Sequence, residues 1–171
     1  THTVRPGSNI SQIAQSLESR GIVSNGRIFE AGVRVFGHEN DLKAGEYEFK
    51  AHASMKDIMD ILVSGKAILH PLTVVEGTTV SQALERIAEN EFLVGDMPEE
   101  LPAEGMLVAD TQKFSRGTTR AELIEKMVAQ QRAIIDETWA NRSPELPLKD
   151  VNEFITLASI VEKETGIPNE R

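Results

Sequence analysis

The chain has 171 residues, 40% hydrophobic and 26% charged, a normal globular balance that is enough for one ordinary domain or two small ones. Its formal net charge is −9 and its Lys and Arg residues do not cluster, so nucleic acid and anionic membrane surfaces, which bind through basic patches, are poor partners. It has no cysteine, which excludes disulfides, thiolate metal sites and thiol nucleophiles together.

Residues 2–5 read as a strand, with no signal peptide ahead of them. A local pattern then recurs along the chain: a capping residue, a polar partner three positions on, and a helix with apolar spacing. The pairs are Asn9 and Gln12, Ser54 and Asp57, Thr79 and Gln82, Thr119 and Glu122, and Asp150 and Glu153. At this spacing the cap accepts an orphan amide and the partner reaches back. Behind the caps lie Ile10, Ile13 and Leu17; Met55, Ile58 and Leu62; Val80, Leu84 and Ile87; Leu123 and Met127; and Phe154, Leu157, Ala158 and Val161. The recurrence reads either as an internal repeat or as chance among common caps, and the helices stand under both.

A further helix is expected over residues 27–35, ended by Gly37. The alternating GEYEFK (residues 45–50) and the run LHPLTVV (residues 69–75) read as strands. Residues 93–117 are the least regular part, broken by Pro98, Pro102, Gly105 and Gly117. A long helix follows from Thr119 to about Trp139, then a Pro-containing linker and a last helix over residues 151–165. The class is α+β, with one domain over residues 1–66 and a second, incomplete one over residues 67–171. No apolar run approaches the roughly 20 residues that span a bilayer. The sequence stops at Pro168-Asn169-Glu170-Arg171 with no closing element after that helix, and it reads as a fragment trimmed of a leader or anchor.

The last segment, DVNEFITLASIVEKETG, is the most informative. Asp150 starts it, and Gly166 and Pro168 fit its stop. At about 100° per residue, Phe154, Leu157, Ala158 and Val161 form one stripe expected to be buried. Glu162 and Glu164 fall on its two borders, each roughly 80° from Phe154. Both lie in the last turn, where the helix dipole and apolar neighbours disfavour a negative charge. Either carboxyl therefore suits a general acid, and either equally suits a solvated helix end. Geometry does not separate them.

Four segments resemble the MltG/YceG-like family of endolytic murein transglycosylases, in the family's order. They are DLKAGEYEF, LTVVEGTTVSQALERIAE, EGMLVADTQKF, and LASIVEKETG with PNER after it. The resemblance implies that the second glutamate of the Glu-Lys-Glu string, Glu164, is catalytic and that Glu162 supports it. It implies a substrate groove with Glu104, Asp110 and Thr111. The chain departs from the family at Ala109, where proline is usual, and at Gln112, where an aromatic, a side chain able to stack on a sugar, is usual.

The implied reaction uses one carboxyl rather than the usual glycosidase pair. It cuts the bond between N-acetylmuramic acid and N-acetylglucosamine inside glycan strands and leaves 1,6-anhydro ends, with no metal and no cofactor. The implied partners are peptidoglycan strands and peptidoglycan synthases. The implied location is the extracytoplasmic, periplasmic side of the inner membrane, with a single-pass anchor outside this chain. Residues 1–66 resemble a LysM-like module, either glycan-binding or a spacer, and the fragment alone is expected to be inactive.

Two other readings stay open. One is a non-catalytic glycan-binding or scaffold protein of the cell envelope. The other is a pyridoxal-phosphate-dependent aminodeoxychorismate lyase, a label that relatives have carried. That chemistry needs a Schiff-base lysine and a phosphate-cradling Gly-rich loop, and the chain has no such loop. His2, His38, His52 and His70 lack metal-ligand spacing and read as surface or strand residues; Trp139 reads as packing rather than sugar stacking.

Overall fold

The structure is a computed structural model that describes residues 1–164. The chain divides into two compact units: residues 1–70 with 115–117, and residues 71–114 with 118 onward.

In the first unit, β1 (His2–Val4) pairs antiparallel with β2 (Gly45–Tyr47), placing His2 opposite Tyr47 and Val4 opposite Gly45. β2 is shorter than the expected strand because β1 offers only three residues to pair. Helices α1 (Ile10–Ser19), α2 (Gly26–Val35) and α3 (Met55–Ser64) close a core around Ile13, Leu17, Val33, Tyr47, Ile58 and Leu62. Glu46 Oε2 lies 3.1 Å from Arg116 Nε and 3.2 Å from His70 Nε2. The Arg116 guanidinium, with help from His70, holds the Glu46 carboxyl below the usual range.

β3 (Leu69–Thr73) pairs with β4 (Thr111–Ser115); most of both strands belongs to the second unit, with α4 (Val80–Ala88), α5 (Arg120–Ala140) and α6 (Val151–Glu164). The core of this unit joins Leu72, Val74, Ile87, Phe114, Leu123 and Met127. β4 falls in the segment expected to be irregular. Its alternation is real, with Gln112 and Phe114 buried and Thr111 and Lys113 exposed, but a buried glutamine disguises it as polar.

Four of the expected capping boxes are complete: Asn9 with Gln12, Ser54 with Asp57, Thr79 with Gln82, and Thr119 with Glu122. At the fifth, Asp150 accepts the Glu153 amide at 2.9 Å, while Glu153 reaches back one residue further, to the Lys149 amide at 2.8 Å. Arg120 serves the opposite end of α4: its guanidinium donates to the carbonyls of Ala88 and Asn90.

The stripe expected to be buried on α6 is not. Leu157 and Val161 are 41% and 44% exposed, Ala158 is exposed, and Phe154 is half-buried against Trp139, with ring centroids 6.0 Å apart. The half-buried residues are instead Val151, Glu153, Phe154, Ile155 and Glu162. At about 100° per residue, Val151, Ile155 and Glu162 lie within about 40° of one line. The helix carries apolar residues on two sides, and periodicity alone does not say which side meets the rest of the unit. The expected stop at Gly166 and Pro168 lies outside the described residues.

Candidate functional site

α6 carries both candidate acids. Ile155 defines its packing side, and at about 100° per residue Glu162 falls about 20° from it while Glu164 falls about 180° away. The burial agrees, since Glu162 is half-buried and Glu164 is exposed. The fold thus separates two glutamates that spacing could not. Glu164 lies among Leu157, Ile160 and Val161, whose exposures are 41%, 52% and 44%. It is a carboxyl in the middle of an open apolar face.

The inward glutamate adjoins a turn. A Cβ built on Gly77 would lie 3.8 Å from Glu162 Cγ and 3.5 Å from Lys163 Nζ. The turn is Glu76-Gly77, within the segment LTVVEGTTV that carries part of the family resemblance. Its nearness to the acid-bearing helix end was not legible, because no sequence pattern reports which loop a helix end meets.

The other expected groove residues sit on a different part of the unit. Asp110 immediately precedes β4, where its Oδ1 accepts the Thr111 amide at 2.6 Å. Thr111 Oγ1 lies 2.9 Å from Thr73 Oγ1 across the two strands, and both threonines are exposed. The Glu104 carboxylate accepts the first amide of α4, with Val80 N 3.0 and 3.2 Å from its two oxygens, so it acts as an anionic cap on that helix. Gln112, at the position where the family usually has an aromatic, is 3% exposed and donates to Gln130 Oε1 at 2.9 Å. Its side chain faces the interior and α5.

Trp139 lies between Phe154 and the Arg142 guanidinium, which sits 3.8 Å from its ring centroid. No group of three or more His, Asp or Glu side chains suited to a metal occurs among the described residues, and no described helix is long and apolar enough to cross a membrane. A polar cleft of about 420 Å³ opens in the first unit between Ser8, Asn9, Arg34, Glu39 and Asn40.

Residues 2–171 match the family described as YceG-like. Two curated proteins named endolytic murein transglycosylase, from Streptococcus pneumoniae strains D39 and R6, are 27% and 28% identical to 96% of the chain. The chain spans 37% of the length of each. The crystal structure of a YceG-like protein from Listeria monocytogenes is similar over 97% of this chain and 64% of that one, at 25% identity and a TM-score of 0.43.

Proposed function

The chain belongs to the YceG-like family, and on that premise we propose that it is part of an endolytic murein transglycosylase to which it supplies the proton-transferring carboxyl, Glu164. The observation that carries the reading is the outward seat of Glu164 among Leu157, Ile160 and Val161, on the side of α6 left open by the second unit. A carboxyl on a packed face has no access to a polymer; one on an open face does. The S. pneumoniae relatives, named for this activity, support the substrate class.

In this reading, protonated Glu164 gives its proton to the glycosidic oxygen as the bond from the muramoyl C1 breaks. The carboxylate then takes the proton of the muramoyl C6 hydroxyl, whose oxygen closes onto C1 to form the 1,6-anhydro ring. Glu164 ends protonated again, and water is not consumed. The step needs a carboxyl that holds its proton near neutral pH, and apolar cover favours that form. We assign this cover to Leu157, Ile160 and Val161 on one side and to the bound glycan itself on the other. Glu162 supports the helix end from the inward side. Exposed Asp110, Thr111 and Thr73 supply hydroxyl and carboxylate groups suited to sugar contacts, and Glu104 holds the start of α4 through the Val80 amide.

The first unit is assigned a LysM-like docking role, supported by the polar cleft between Ser8, Asn9, Arg34, Glu39 and Asn40. The enzyme would trim or terminate nascent strands beside peptidoglycan synthases, held on the outer face of the inner membrane by an anchor outside this chain. Because the chain spans 37% of the length of the relatives named for this activity, a second reading holds for this chain in isolation, as a glycan binder that does not turn over.

Digestion of murein sacculi by the full-length protein, read by mass spectrometry, tests both. Anhydro-muropeptide ends should form with the wild type, vanish with Glu164→Gln and persist with Glu162→Gln. Reducing-end products, or equal loss in the two variants, would sink the assignment. Sacculus binding without products by the full-length protein would favour the non-catalytic reading.

A further inference from the structure

We propose that two Glu-Gly turns, Glu76-Gly77 and Glu104-Gly105, are the positioning elements that set the rotation of α6, turning Glu162 inward and Glu164 outward. The proposal rests on the reading of Glu164 as the proton donor and adds residues to that site.

α6 contributes no fully buried side chain, so little of its placement comes from a core of its own. Beside the Phe154–Trp139 ring contact, it is met by the backbone of two glycines. At Gly105 a Cβ would stand 2.5 Å from Ile155 Cγ2, closer than real Cβ contacts come, so Ile155 seats directly on the glycine Cα. The turn beneath is fixed from both sides: the Glu104 carboxylate holds the Val80 amide, and the Gly105 carbonyl accepts Gln131 Nε2 of α5 at 2.7 Å. Gly77 stands three residues before Val80 and lies against Glu162 and Lys163 at the described end of α6. The Glu104–Val80 bond thus links the second turn to the segment that carries the first. Both glycines have positive φ, +73° and +79°, conformations that side-chain-bearing residues adopt only with strain. Ile155 and Glu162, the residues that meet the two turns, are seven positions apart and therefore on one line of the helix. Two supports on one line fix rotation as well as position.

Gly105→Ala presses directly on this contact, because Ile155 is branched at Cβ and its Cγ2 sits against the place the new methyl would take. Ile155→Leu moves the branch outward by one carbon and should relieve the clash. In full-length protein, Gly105→Ala should speed amide exchange in residues 151–164. It should lower kcat on sacculi by about 100-fold, the scale of a 1 Å misplacement, with KM changed less than about twofold. Adding Ile155→Leu should restore exchange protection and recover at least about a tenfold share of kcat. Wild-type exchange in Gly105→Ala, or no recovery in the double variant, overturns the proposal. If Gly105→Ala does not fold, Ile155→Phe presses on the same contact without touching the turn, and unchanged α6 exchange there overturns it equally. A wild type that makes no anhydro product defeats the assigned reaction, while the exchange measurements still decide the positioning.

Discussion

His2 is 1% exposed, and neither ring nitrogen has a hydrogen-bond partner among the described residues. Burial, then the Arg20 charge, push its pKa below the ordinary value. The folded state therefore resists protonation that the unfolded state accepts near pH 6.5. The stability this contributes is complete above that pH and is lost as the pH falls through it. Denaturant titrations should show the first unit weakening between pH 7.5 and 5, and His2→Phe, which keeps a ring beside Phe49, should flatten that slope. An unchanged slope would mean that other groups carry it. Glu46 acts in a lower window: its depressed pKa contributes stability above its unfolded value, near 4.5, that is lost as the pH drops further. At Gln112, where the family usually has an aromatic, the side chain is 3% exposed and bonded to Gln130 in the interior.

Helix starts are where sequence and structure agree most closely, because a cap is a local device. The Thr119 side chain accepts the Glu122 amide at 3.1 Å and Glu122 returns to the Thr119 amide at 2.9 Å, entirely within four residues. Thr119→Ala should cost about 1 kcal/mol, read as a fall in melting temperature of about 2–4 °C for a chain of this size. Glu104→Ala removes a cap of a different kind, supplied from 24 residues away, and spacing gave no hint of it. It should cost a similar amount and also loosen the turn at Gly105, so its effect on α6 exchange should exceed that of Thr119→Ala. α6 shows the limit of periodicity. The pattern located the helix and its cap, but chose Leu157 and Val161 for the buried side, where the fold uses Val151 and Ile155.

At the scale of the whole molecule, two separate cores stand behind the two units, one around Leu17 and one around Leu123. Each leucine is essentially inaccessible, at 0% and 1% exposure. Leu17→Ala and Leu123→Ala should each cost about 2–5 kcal/mol, and amide exchange should rise within the unit that loses the side chain. If neither variant changes exchange in its own unit, the core assignment fails.

The sequence by itself determined the α+β class, the helices and four complete capping boxes, because these depend on interactions within a few residues. Through resemblance to its family it also singled out Glu164. It missed β4, whose buried Gln112 breaks the apolar pattern, and its helical spacing left Glu162 and Glu164 equivalent. The tertiary structure separated them by burial, with Glu162 half-buried and Glu164 exposed. The rotation of α6 depends on where Gly77 and Gly105 meet it, and those contacts join residues 50 to 86 positions apart by a closeness of backbone that a one-dimensional pattern of side chains does not encode.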